Sequence, residues 1–161
     1  MKFIVSMLTA GFLLFSAGSV QAGFYDNPMI GQKATDFKLM QLKGGEVTLE
    51  NLRKGGKAIV MFWATWCPHC REQLKDIAAQ KAVLEKAGVT LVLVDIGEDK
   101  VKVEKYLSSK GYDLNVLLDQ DSTVAETYQV AGVPTIVLIA SDGKIRDVGY
   151  ALPDNFEEIL K

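Results

Sequence analysis

Three stretches of the chain carry apolar residues with no polar alternation: Ala58-Ile59-Val60-Met61-Phe62-Trp63, Val89 to Val94, and Thr135-Ile136-Val137-Leu138-Ile139. Runs of that kind suit strands buried on both faces of a sheet. Between the first two, Leu74, Ile77, Ala78, Leu84 and Ala87 recur at helical spacing and stop at Gly88. Val103, Tyr106 and Leu107 predict a second amphipathic helix ended by Gly111. Val116-Leu117-Leu118 reads as a short strand, and Val124, Ala125 and Tyr128 as a brief helix behind it.

The flanks are less regular. Asp36 to Leu39 and Glu46 to Leu49 alternate on either side of Gly44-Gly45 and predict a hairpin, followed by a helical turn over 49–52 that Gly55-Gly56 closes. Ser141-Asp142-Gly143-Lys144 is a tight-turn signal, so the strand over 144–148 should run antiparallel to the one before it. Asp154 is placed to cap a last helix carrying Phe156, Ile159 and Leu160. The order β-β-β-α-β-α-β-α-β-β-α implies an α/β fold: a mixed central sheet, helices on both faces and an N-terminal β-hairpin.

Composition changes this picture little. The chain has 161 residues, 48% of them hydrophobic and 24% charged, which fits one domain with a real core. A formal charge of −2 with no Lys/Arg run argues against nucleic-acid binding. The N-terminus says more. Met1-Lys2, an apolar run from Phe3 to Ala17 and the small-residue stretch Gly18 to Ala22 follow the plan of a signal peptide over 1–22, cleaved after Ala22. The mature domain then spans 23–161, periplasmic or secreted. The run is shorter than the ~20 residues a spanning helix needs, so a retained anchor is the weaker reading.

Export makes a disulfide between the chain's two cysteines, Cys67 and Cys70, chemically persistent. A loop enclosing two residues removes little entropy from the unfolded chain, so it is a poor staple and a better redox pair. The segment Trp66-Cys67-Pro68-His69-Cys70 falls where a buried strand ends and a helix begins. Cys67 at a helix N-terminus faces unpaired N–H groups and the positive end of the dipole. Pro68 fits the first turn, and a protonated His69 adds positive charge beside the sulfur. All three favour thiolate and make Cys67 the nucleophile; Cys70, one turn on, resolves the mixed disulfide.

This segment, with Phe62-Trp63-Ala64-Thr65 before it, resembles the active site of the thioredoxin-like superfamily, and within it the exported TlpA-like thiol-disulfide oxidoreductases that include cytochrome c maturation reductases. Val94-Asp95-Ile96-Gly97-Glu98 and Gly132-Val133-Pro134-Thr135 extend the resemblance over residues 30 to 161. It implies a thioredoxin-like fold, protein substrates with thiols or disulfides and a membrane-bound redox partner; no cofactor is expected, and with no dimerisation segment evident a monomer is expected. It also implies a cis Pro134 facing the cysteines, and substrate contacts from Val133, Pro134 and Trp66. Two positions depart from the pattern: the buried acid of many thioredoxins is Met61 here, and the Glu of many TlpA-like reductases is Gln73.

Pro68-His69 matches the dipeptide of the strongly oxidising periplasmic dithiol oxidase. Its potential differs from that of thioredoxin by about 150 mV, roughly 7 kcal/mol, of which a nucleophile pKa lower by about 3.5 units supplies roughly 5 kcal/mol. A potential above that of thioredoxin is therefore expected. The rival readings are weaker. A closed zinc site needs four ligands, leaving a copper(I) chaperone on Cys67 and Cys70 as the alternative. A peroxiredoxin would place Thr three residues before its reactive Cys, where Ala64 stands. A non-catalytic binding module using the same surface is the third.

Overall fold

The apolar run at 57–63 is the centre of the sheet. In the computed structural model, which describes residues 27–161, β3 (Lys57–Trp63) lies between β4 (Val89–Ile96), to which it is parallel, and β6 (Thr135–Ile139), to which it is antiparallel. Every side chain from Ala58 to Trp63 is fully buried, as a strand covered on both faces requires. With β1 (Lys38–Gln41), β2 (Glu46–Thr48), β5 (Val116–Asp119) and β7 (Ile145–Gly149) the sheet has the order β2-β1-β5-β4-β3-β6-β7.

Strand alternation divides the core in two. Ile59, Met61 and Trp63 join Leu93, Leu118, Ile136 and Leu138 under α2 (Pro68–Lys86), α3 (Lys100–Lys110) and the short α5 (Phe156–Ile159). Ala58, Val60 and Phe62 join Val92, Val94, Leu117 and Val137 on the other face, under α1 (Leu49–Arg53) and α4 (Thr123–Thr127). Each fully buried aliphatic or aromatic side chain contributes about 1.5–3 kcal/mol. The mixed sheet, the leading hairpin and the helices on both faces are those the pattern implies.

Three local expectations need correction. The hairpin starts at Lys38, opposite Thr48, because Thr48 turns the chain into α1; one last cross-strand bond, from the Leu49 N–H to the Phe37 carbonyl (3.1 Å), lies at its end. Leu49 therefore opens that helix, and the Thr48 hydroxyl accepts from the Asn51 N–H at 3.1 Å. At the other end β7 begins at Ile145, since Lys144 belongs to the turn: its carbonyl accepts from Ala140 N–H (3.0 Å) and its N–H donates to the Asp142 carboxylate (3.0 Å). Asp154 does not cap α5; Asn155 holds that position without a side-chain cap hydrogen bond. The hairpin turn itself needs Gly44 and Gly45, whose φ values of 96° and 84° suit residues without a Cβ. The leader at 1–22 lies outside the described residues.

Candidate active site

The carboxyl end of β3 delivers the chain to the redox pair. After Trp63 the backbone turns through Ala64, Thr65 and Trp66, and Cys67 takes the N-cap position of α2 with extended backbone (φ −82°, ψ 116°). Pro68 is the first helical residue, where its missing N–H costs nothing. Cys67 and Cys70 form a disulfide with Cα atoms 5.2 Å apart. The Cys67 sulfur accepts the Cys70 N–H at 3.1 Å, standing where a Ser or Asp oxygen caps other helices. Reduction leaves that N–H, and the positive end of a 19-residue helix, facing the negative charge of a thiolate.

The other wall is the turn before β6. Val133–Pro134 is a cis peptide, and the Val133 carbonyl oxygen lies 3.4 Å from the Cys67 sulfur. The disulfide sulfur has no hydrogen, so this is a contact; a Cys67 thiol would have a proton to donate there. The Thr135 hydroxyl donates to the Gly132 carbonyl at 2.7 Å and closes the turn. Pro134 is buried and Val133 half-buried. The fold thus brings Cys67, Cys70, Val133 and Pro134 together, while Trp66 (64% exposed), Pro68 and His69 form the solvent side. His69 Nδ1 is 3.5 Å from the exposed Glu72 carboxylate, so part of any positive charge on the ring is offset before it acts on the sulfur.

Behind the turn stand residues whose work the pattern did not disclose. Glu98, from the loop after β4, accepts the Thr65 N–H (2.5 Å) and hydroxyl (2.8 Å), and pairs with Lys102 Nζ at 2.6 Å. Burial opposes its charge, but the Lys102 and Thr65 bonds prevail and hold its carboxyl below the usual value. Glu98 thereby clamps the backbone two residues before Cys67. Thr65 is committed to that clamp. Gln73, in the place of the family's acid, uses its amide oxygen to accept the Leu152 N–H at 3.1 Å, tying α2 to the segment after β7.

Asp95 is the other unanticipated residue. It is wholly buried near the end of β4, opposite Trp63 in the ladder. Among the described residues no donor reaches either carboxylate oxygen, and the Trp63 indole N–H also lacks a partner. The nearby Glu98 is itself an acceptor, so it bonds Asp95 only through a proton that Asp95 keeps. Burial pushes the Asp95 carboxyl up to about 8, with Glu98 adding to the rise by hydrogen bond and charge. A lone acid inside Val92-Leu93-Val94-Asp95-Ile96 was the available signal.

A disulfide-forming cysteine pair at a helix N-terminus, at the carboxyl end of a central strand and facing the turn before β6, defines a thioredoxin-like redox protein of the thiol-disulfide oxidoreductase class. The AhpC/TSA family profile matches residues 30–148, and the chain belongs to that family, among its ResA- and TlpA-like members. It is 35% identical over 115 residues to the thiol-disulfide oxidoreductase ResA of Bacillus subtilis, covering 71% of this chain and 64% of the relative. To ResA of Geobacillus kaustophilus it is 32% identical over 120 residues, 74% of this chain and 68% of the relative. The fold matches a provisionally assigned thiol:disulfide interchange protein DsbE of Chlorobium tepidum at a TM-score of 0.70 and 27% identity, over 81% of this chain and 92% of that one.

Proposed function

We propose that the chain is an exported oxidoreductase that exchanges disulfides with protein cysteines through Cys67 and Cys70, in cytochrome c maturation or in disulfide formation. One observation carries it: the Cys67 sulfur is the N-cap of α2, accepting the Cys70 N–H at 3.1 Å with the Val133 carbonyl beside it. Reduced Cys67 attacks a substrate disulfide; the substrate's leaving sulfur takes the electron pair, and a mixed disulfide remains on Cys67. The Cys70 thiolate then attacks the Cys67 sulfur, the substrate departs as a thiolate, and the internal disulfide is restored. In the oxidising direction a substrate thiolate attacks Cys67, and Cys70 is the leaving group.

Pro68 and His69 tune the thiolate, and Trp66, Val133 and Pro134 receive the substrate segment. The exposed indole of Trp66 offers an apolar platform, and the backbone of Val133 offers hydrogen-bonding groups. Export rests on the apolar leader, and a membrane-bound redox partner on the family resemblance. The thiol-disulfide oxidoreductases to which the chain is similar support exchange over a copper(I) chaperone on the same two cysteines.

The test is to trap substrates on a Cys70→Ser variant and to titrate Cys67 in the reduced protein. Expected are mixed disulfides with extracytoplasmic proteins, and Cys67 ionising well below the ~8.5 of a free cysteine. A Cys67 that ionises like a free cysteine, with nothing trapped, overturns the proposal.

A further inference from the structure

We infer that Asp95, on the strand beside the one that leads to the redox pair, is the internal proton acceptor and donor for the Cys70 thiol. The inference rests on the disulfide-exchange reading above and supplies a group that reading lacks.

Cys70 is fully buried, so its proton cannot leave directly to bulk water, and a buried thiol resists ionisation. Resolution of the mixed disulfide nevertheless needs the thiolate. Neither position expected to help can do so: Met61 has no titratable group, and the Gln73 amide is bonded to Leu152. Asp95 is suitably placed. Leu91, Leu93 and Asp95 alternate onto one face of β4, and Leu91 and Leu93 pack in the cluster that contains Trp63, Cys67 and Cys70. Its ladder partner Trp63 is the last residue of β3 before the active-site turn. The carboxyl is wholly buried and no donor reaches it among the described residues, so its charged form is unsupported and it holds a proton that Glu98 accepts.

The groups that face it are few. The loop after β4 brings Glu98, and α3 brings Lys102, on which the exposed α3 cap Asp99 also acts, and Tyr106, packed on Trp63 at 5.8 Å between ring centroids. The start of α2 brings Cys67 and Cys70, with exposed Arg71 next in sequence. β3 and β5 present Trp63 and Leu118, which do not titrate; Asp119 turns to the opposite face. Glu98 and burial raise Asp95, and Lys102 opposes them more weakly, so its proton is exchangeable near neutral pH.

The step balances within the protein and substrate. Ionised Asp95 takes the Cys70 proton, Cys70 sulfur attacks Cys67 sulfur, and the bond from Cys67 to the substrate breaks with its electron pair on the departing thiolate. One proton then rests on Asp95. In the reverse direction Asp95 returns it to Cys70 as the internal disulfide opens.

The experiment loads Cys67 of the reduced protein with the chromogenic thiol of Ellman's reagent and follows its release by Cys70 between about pH 6 and 10, in the native chain and in Asp95→Asn. A general base contributes about 100- to 10,000-fold, so release at about pH 7 should slow at least ten-fold in Asp95→Asn, with the gap closing as the thiol ionises unaided. Superimposed profiles, or one constant factor at every pH, overturn the inference. Should Asp95→Asn not fold, the native protein still decides: infrared difference spectra between oxidised and reduced forms must show a protonated carboxyl that changes with redox state. Absence of any such change overturns it. Failure of Cys67 to form the adduct removes the exchange reading itself, whereas normal loading with unaltered release removes Asp95 alone.

Discussion

Two aspartates lie buried on neighbouring parallel strands, Asp95 on β4 and Asp119 on β5, and they face opposite sides of one sheet. Both are wholly buried, and burial raises both carboxyls. Their surroundings differ. Asp119 accepts the Val124 and Ala125 N–H groups at 3.2 and 2.8 Å, and these bonds pull its carboxyl back down. It caps α4 from outside, replacing a cap that Ser122 does not provide. Asp95 has no such donors, and it lies on the face that holds the disulfide. Burial alone therefore does not mark a working acid. Burial without donors, on the face that holds the disulfide, does.

The largest test of that contrast is the pH dependence of stability. Asp95 ionises near 3.9 in an unfolded chain and at about 8 in the fold. Between those limits the folded state binds more protons than the unfolded state, so unfolding free energy falls as pH rises from about 4 to about 8. Stability contributed by the protonated carboxyl is full below the lower limit and lost through the upper one, a change of several kcal/mol at about 1.4 kcal/mol per unit. Denaturant titrations across this range should show the decline, and Asp95→Asn should flatten it. A native chain whose stability is level over that window would make the two aspartates equivalent.

Asp119→Ala tests the other side. It leaves two N–H groups of the first turn of α4 unpaired, and the expected loss is about 2–3 kcal/mol, read as a lower denaturant midpoint. The rate and pH profile of Cys70 release in the folded fraction should be those of the native chain. A changed profile would show that the far face of the sheet takes part in the exchange chemistry.

Most of the fold was legible because its signals are local. Continuous apolar runs mark the buried strands, and Pro68 between the cysteines marks the strand-to-helix boundary to the residue. The redox pair is legible from its spacing and its strand-to-helix position and the Val133-Pro134 turn from the family resemblance; the structure adds the Cys70 N–H on the Cys67 sulfur and the 3.4 Å approach of the Val133 carbonyl. Glu98 and Asp95 were not legible as participants, since their meaning depends on register. Nothing in sequence spacing says that residue 98 reaches back to Thr65, or that residue 95 stands opposite Trp63. Asp154 misleads for the opposite reason: it is a good capping residue by local sequence, yet the chain enters α5 one residue later, at Asn155.

The smallest effect concerns what holds Asp95 at its poise. Lys102 is about half exposed, yet it bonds the almost buried Glu98 carboxylate at 2.6 Å, so its charge reaches Asp95 across a group that water does not screen. Its influence lowers the Asp95 carboxyl while Glu98 raises it. Lys102→Met removes the lowering influence and leaves Glu98 held by Thr65, so the upper limit of the stability decline should move to higher pH. The same upward move should appear in the pH profile of Cys70 release, because one carboxyl governs both. Added salt should shrink the difference between variant and native chain, since the ammonium is the exposed member of the pair. Movement of the two profiles in opposite directions would separate the acid that sets stability from the acid that serves Cys70, and Asp95 could then be only the first.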